Sequence, residues 1–189
     1  MDKTRSLPPA DLSGTKDVLR AALFAAERHA RQKRKGAAAE PYINHLLEVA
    51  DLVASALTEP DTNLLMAALL HDVVEDVGVT KAEVADLFGS DVAELVAEVT
   101  DDKSLPKAER KRLQIVNAPK KSIRAQAIKV ADKISNLRAI LNSPPEDWSA
   151  ERKKEYFDWA KQVVDGLPSP PPTLKTEFEK TYSRFGSTT

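Results

Sequence analysis

An all-α bundle of about seven or eight helices is the fold this sequence predicts, on three observations. Apolar residues recur at three- and four-residue steps almost throughout, and no stretch alternates convincingly with period two. The 189 residues, 42% of them hydrophobic, can bury one sizeable core but not two. Taken in order, the first helix covers about residues 15–33 on Val18, Leu19, Ala22, Leu23 and Ala26, and the loop "KGAAAEP" follows it. A second starts near Asn44 and stops before Glu59-Pro60. The third covers about residues 62–77, with Gly78 placed to cap its C-terminus; Thr80 and Glu83 then make a capping box for a short helix that Gly89 ends.

Another helix spans about residues 91–99, and the polar turn "TDDKSLP" leads to a basic helix near residues 107–116, closed by Pro119. In "SIRAQAIKVADKISNLRAIL", the side chains Ile123, Ala127, Val130, Ile134, Leu137 and Leu141 share one side of a long helix, expected to be central. A helix over residues 149–165 ends at Gly166. The proline-rich "LPSPPPT" is a stiff spacer before a last amphipathic helix holding Leu174, Phe178 and Tyr182, which reads as an appended arm ending in a frayed "GSTT". The organisation is therefore a tail over residues 1–14, one domain over 15–166, and spacer plus arm over 167–189.

Charge narrows the function. Twenty-eight Lys and Arg nearly cancel twenty-nine Asp and Glu, so the global field favours neither nucleic acid nor an anionic membrane. Aromatic residues make up 5% of the chain, too few for extensive base stacking. No apolar stretch approaches the roughly 18 residues needed to span a bilayer. "MDKTRSLPPADLSG" lacks the apolar core of a signal peptide, so the cytoplasm is expected. Without cysteine, disulfides, thiolate nucleophiles and Cys-type zinc sites are excluded together.

One stretch departs from this ordinary pattern. "AALLHDVVEDVG" puts one histidine and three carboxylates into an otherwise apolar helix. At roughly 100° per residue, His71, Glu75, Asp72 and Asp76 fall near 0°, 40°, 100° and 140°, on one face. The stripe has no Lys or Arg at i+4, and three clustered carboxylates repel one another unless a cation sits among them. A divalent metal supplies that cation, since imidazole nitrogen and carboxylate oxygen are both ligands for first-row metals. His45 in "PYINHLLEVA" and Asp132 in "IKVADKISNL" complete a two-nitrogen, two-oxygen set from three helices. Asp132 alone reads equally well as an ion-pair partner of Lys133 or Lys129. Glu75 and Asp76 are then spare carboxylates for general acid and base work. His29, among the charges of "ERHARQKRK", reads as a surface residue.

Basic charge is local. Residues 28–35 carry five basic side chains and no acidic one, and residues 103–124 carry eight against Glu109 alone. Between them, residues 72–102 hold ten acidic side chains against Lys81. Cationic segments beside an acidic, metal-binding helix suit a small phosphate-bearing substrate.

With "RKG…YINH", "AALLHDVVED", "EVTDDKSLPKAERKR" and "ADKISNLR" in this order, the sequence resembles the HD superfamily of metal-dependent phosphohydrolases. Within it, the chain is similar to the hydrolase domain of the RelA/SpoT alarmone enzymes, above all the small stand-alone hydrolases of the metazoan SpoT type. The resemblance covers roughly residues 15–166. It implies a helical HD fold and hydrolysis of ppGpp or pppGpp to GDP or GTP plus pyrophosphate, with manganese(II) as metal and iron or zinc as alternatives. It implies His45, His71, Asp72 and Asp132 as metal ligands and Glu75 and Asp76 as the pair that activates water and handles the leaving group. Arg34 and Lys35 match the basic pair near the nucleotide, with the arginine against the guanine, and Asn136 matches a residue near the ribose. Lys103, Lys107, Arg112 and Arg152 are further candidates for phosphate contact. Two departures bear on substrate preference: Leu46 stands where many relatives have Pro, and Ala139 where the long enzymes often carry Thr. A hydrolase without synthetase activity is expected, acting on a small nucleotide as monomer or homodimer, with no nucleic-acid or membrane partner. Removal of the 2′-phosphate of NADPH at the same site is the alternative.

Overall fold

The computed structural model describes residues 13–186. They form ten α-helices and one 3-10 turn, with no strand among the described residues. The helices are α1 (Ser13–Arg28), α2 (Ile43–Ala56), α3 (Thr62–Leu70), α4 (Val73–Val77) and α5 (Lys81–Phe88). After them come α6 (Ser90–Val99), α7 (Lys107–Asn117), the 3-10 turn (Ala118–Lys120), α8 (Ile123–Asn142), α9 (Ala150–Asp165) and α10 (Pro172–Gly186). Of the expected N-terminal tail, Ser13 and Gly14 already belong to α1 and the rest lies outside the described residues, as does all of "GSTT" after Gly186. None of the described helices is long and apolar enough to cross a membrane.

Local chemistry explains where the helices start and stop. The side chains of Asp61, Thr80, Ser122 and Ser149 accept from the backbone N–H groups of Leu64, Glu83, Ala125 and Arg152, opening α3, α5, α8 and α9. Each such cap contributes about 1 kcal/mol. Gly78 closes α4 at φ 75°, a left-handed conformation that a side chain would strain.

The long helix α8 is central, as its periodicity predicts, and packs against α2, α6, α9 and α10. Ala127, Ile128, Val130, Ala131, Ile134 and Leu137 join Leu46, Val49, Leu70, Val96 and Phe157 in one core. Buried polar groups on α8 have partners: Gln126 Nε2 donates to the Lys121 carbonyl at 2.8 Å, and Lys129 Nζ donates to the Val99 carbonyl at 2.6 Å. The last helix is no loose appendage. Leu174 and Phe178 of α10 are buried in the same core, and Arg138 of α8 bridges Glu48 of α2 and Glu177 of α10, each at 2.8 Å.

Two segments differ from the sequence expectation. The helix expected over residues 15–33 ends at Arg28, because the chain then folds back on itself through an isolated antiparallel bridge between Lys33 and Pro41. Gly36 anchors this excursion against the end of α8, where a Cβ would lie 2.1 Å from the Ser143 carbonyl oxygen. The helix expected over residues 62–77 is two helices, broken at His71-Asp72. Asp72 sits at φ −104°, ψ −2°, the sparsely populated bridge region often used by active-site residues. Its carboxylate, although of a favoured capping type, does not cap α4 and points elsewhere.

Candidate functional site

The break between α3 and α4 aims His71 and Asp72 at two neighbours, His45 from the first turn of α2 and Asp132 from the middle of α8. His71 Nε2 lies 3.1 Å from Asp72 Oδ2, and His45 Nε2 lies 3.6 Å from the same oxygen and 3.4 Å from Asp132 Oδ1. Ligand atoms of His45, His71 and Asp72 all fall within 4.8 Å of one another. Asp132 joins them through His45, so all four residues meet.

Hydrogen bonds behind the imidazoles fix which nitrogen faces inward. His71 Nδ1 donates to the Ala68 carbonyl at 2.8 Å; a carbonyl only accepts, so in the neutral ring Nε2 carries the lone pair. His45 Nδ1 lies 2.8 Å from Ser135 Oγ, whose own proton goes to Glu48 Oε2 at 2.6 Å. His45 Nδ1 is therefore the donor and its Nε2 is bare as well. Two ring nitrogens and the Asp72 carboxylate thus face one another, with Asp132 beside His45. His71 Nε2 is buried without a hydrogen-bond partner, its neighbour Asp72 being poorly aligned.

Such a cluster needs positive charge, and the side chains register this. Burial disfavours the His71 imidazolium, but Asp72, with Asp132 behind it, outweighs burial and lifts its pKa to about 9. Burial likewise opposes ionisation of Asp72, yet the His71 charge holds its carboxyl well below the usual range. Asp132 also stays low against burial, chiefly through Lys133, whose Nζ lies 2.8 Å from Asp132 Oδ2. Asp132 pairs with Lys133 through one oxygen and faces His45 with the other. A proton on His71 satisfies the cluster, and so does a divalent cation. Two nitrogens and two oxygens, with their outer hydrogen bonds in place, fit a first-row ion with coordination positions left for water and substrate.

The spare carboxylates stand beside this centre on α4. Glu75 accepts from the Asp101 backbone N–H at 3.2 Å and faces Arg110 NH1 at 3.5 Å. Burial, then the Asp101 charge, raises its pKa above the ordinary carboxylate value. Asp76 is held by Lys103 Nζ at one oxygen and by Gln32 Nε2 at 2.8 Å at the other.

A cleft of about 370 Å³ opens over these groups, lined by Lys35, Lys103, Lys107, Arg110, Lys111 and Asn136 as well as by the acidic residues. A second chamber of about 460 Å³ continues from it along Arg34, Lys35, Ala139, Trp148 and Tyr156. Arg34 donates to Ser135 Oγ at 3.1 Å and to Asn136 Oδ1 at 3.0 Å, and Asn136 Nδ2 donates to Asp132 Oδ1 at 2.6 Å. Arg112 is not brought to the cleft: it is exposed and bonded to Glu109 on its own helix. Arg110, two residues earlier, takes the inward position. Arg152 lies outside the lining, over the Trp148 ring at 4.7 Å and 3.5 Å from Asp147.

His29 is buried, 2% exposed, and not on the surface as its charged neighbours suggested. Its ring stacks on Tyr42 at 5.1 Å, and its Nδ1 meets Gln32 Oε1 at 2.6 Å. Sequence reasoning also missed Tyr42, whose hydroxyl donates to Asp72 Oδ2 at 2.7 Å, together with Gln32, Ser135 and Arg110. Of these, Ser135 was open to prediction, being one turn from Asp132.

The HD domain family profile matches residues 21–158. The guanosine-3′,5′-bis(diphosphate) 3′-pyrophosphohydrolase MESH1 of Drosophila melanogaster is 47% identical over 163 residues, which is 86% of this chain and 91% of that protein. MESH1 of Homo sapiens is 47% identical over 171 residues, 90% of this chain and 96% of that one. A solved structure described as a metazoan ortholog of SpoT that hydrolyzes ppGpp superposes with a TM-score of 0.86 at 43% identity, covering 96% of this chain and 99% of the other.

Proposed function

The chain belongs to the HD domain family, and from that membership we propose that its cleft removes the 3′-diphosphate of ppGpp or pppGpp, giving GDP or GTP and pyrophosphate. His45, His71, Asp72 and Asp132 would hold a divalent ion, manganese(II) with iron or zinc as alternatives. When bound, it supplies Lewis acidity and makes a neighbouring water easier to deprotonate.

The remaining chemistry belongs to the chain. Water attacks the phosphorus bonded to the ribose 3′-oxygen, and Glu75, its affinity for a proton raised by burial, takes the proton given up. The bond from phosphorus to the 3′-oxygen breaks, and that oxygen receives a proton from the Glu75 and Asp76 pair while pyrophosphate leaves. Lys103, Lys107, Arg110 and Lys111 line the wall on which the diphosphate lies and neutralise charge as it develops. Arg34, tied to Asn136, sets the nucleoside end, so the substrate spans both chambers. Ala139 lines that chamber where the long enzymes often carry the hydroxyl of Thr. The enzyme is read as cytoplasmic, monomeric or homodimeric, with no nucleic-acid or membrane partner; no observation favours NADPH over the alarmones.

The observation that carries this reading is the grouping of His45, His71 and Asp72 within 4.8 Å of one another, with Asp132 3.4 Å from His45. With excess manganese(II), pyrophosphate release from ppGpp is expected to fall at least ~10³-fold in Asp72→Ala and about 10²- to 10⁴-fold in Glu75→Ala. Unchanged turnover in both variants overturns it, and faster phosphate release from NADPH than pyrophosphate release from ppGpp overturns the substrate.

A further inference from the structure

We infer that Gln32 and, behind it, His29 are positioning residues for Asp76, forming a relay that fixes the direction of its carboxylate. The inference rests on the hydrolase reading for what the direction is worth, though not for the relay itself.

Asp76 is gripped from two sides by unlike groups. Lys103 is half exposed, on a flexible stem at the mouth of the cleft, and is itself a candidate for phosphate contact. Once a phosphate draws Lys103 away, Gln32 is the remaining hydrogen-bond partner of Asp76. Gln32 can do this only in one orientation, because a side-chain amide has a donor end and an acceptor end of nearly the same shape. Reversed, it would set its carbonyl oxygen against the carboxylate.

His29 selects the orientation. The ring is 2% exposed and its Nε2 is buried with no hydrogen-bond partner, so a proton placed there would be stranded. The proton therefore belongs on Nδ1, which donates to Gln32 Oε1 at 2.6 Å and commits the opposite, NH₂ end to Asp76 Oδ2 at 2.8 Å. Backbone hydrogen bonds keep both residues in place, Gln32 N–H donating to the His29 carbonyl at 2.9 Å and Tyr42 N–H to the Gln32 carbonyl at 3.0 Å. Stacking of the imidazole on Tyr42 fixes its plane.

The test combines kinetics with ring nitrogen spectroscopy on the full chain. His29→Phe keeps a flat ring against Tyr42 and removes the donor, and Gln32→Met removes the amide at a half-exposed position that tolerates the change. Each is expected to lower kcat on ppGpp about 10- to 100-fold with KM within about threefold of the parent. The double variant is expected to lose no more than the worse single one. His29→Asn, whose amide N–H overlays Nδ1–H, is expected to recover most of the loss. In the metal-free parent, ¹⁵N shifts of the His29 ring are expected to show the proton on Nδ1. The inference is overturned by a proton on Nε2, by single variants within twofold of the parent kcat, by a loss confined to KM, or by His29→Asn as slow as His29→Phe. If the parent protein releases no pyrophosphate from ppGpp, the hydrolase reading is what fails, and the ring ¹⁵N shifts alone decide the relay.

Discussion

The floor of the cleft and its basic wall are built on opposite plans. On the floor, His45 and His71 are almost wholly buried, and both Nδ1 atoms are committed to partners that leave one side free. On the wall, Lys35, Lys103 and Lys107 are exposed, and burial and neighbouring cations make the Lys107 ammonium easier to deprotonate. The floor thus has one arrangement, held by hydrogen bonds in a medium where an unmet polar group is costly, whereas the wall's lysines lie open to solvent, where an anion can reach them. A group that must place one atom needs rigidity; a group that must neutralise a diphosphate needs number and reach. Substitutions should therefore act sharply on the floor and weakly, or additively, on the wall.

Outside the proposed ligands and Glu75, the largest effect is expected from Ser135→Ala, which touches neither the substrate nor any ligand atom. It leaves His45 Nδ1–H without its acceptor and frees the imidazole to rotate or change tautomer. Manganese(II) affinity, measured by calorimetric titration, is expected to fall about 10- to 100-fold, the usual consequence of losing an outer partner of a ligating histidine. The fold should also lose about 1–3 kcal/mol from the buried group left unpaired, read by chemical denaturation. Affinity equal to the parent's would mean that the floor does not depend on its outer hydrogen bonds, and the contrast between floor and wall would fail.

A smaller effect sharpens the floor's electrostatics. With Glu75 as the proposed base, active only when ionised, kcat/KM is expected to fall as pH drops through its pKa, which burial and then Asp101 raise. Asp101→Asn removes the negative neighbour while keeping the backbone N–H that Glu75 accepts from. Ionisation of Glu75 becomes easier, its pKa falls, and the acid limb of the profile is expected to move to lower pH. At a pH on the parent's acid limb, the variant should be faster by up to about 10-fold, corresponding to one pKa unit. An acid limb that stays in place or moves upward rules out Glu75 as the group responsible.

The same division decides what can be read from the chain. Periodicity reveals the helices, including the central α8, and the charge anomaly of "LLHDVVED" singles out His71, Asp72, Glu75 and Asp76, because both are local patterns. The break at His71-Asp72 carries no Gly or Pro, so no sequence signal marks it. His29 reads as a surface residue because its sequence neighbours are charged, although burial is decided by Tyr42 folding over it from 13 positions away. Leu174 and Phe178 make α10 legible as amphipathic, but which surface they cover is a long-range fact. The resemblance supplies Asn136 and Arg34, and the structure ties Arg34 both to Ser135 and to Asn136.

The smallest expected effect tests the wall. Arg110 and Arg112 lie on α7 two residues apart, about 200° around the helix, so only one can face the cleft. Arg112 pairs with Glu109 in the open, its side chain 58% exposed, where solvent screens the pair. Arg112→Ala is therefore expected to leave kcat and KM within about twofold of the parent. Arg110 faces Glu75 and lines the cleft, so Arg110→Ala should raise KM for ppGpp about 10-fold, as expected for a charge-assisted contact. Because the two residues share charge, helix and solvent, their difference isolates direction from net charge. Equal effects would mean that the wall acts only through its overall potential, and added salt would then erase both losses together.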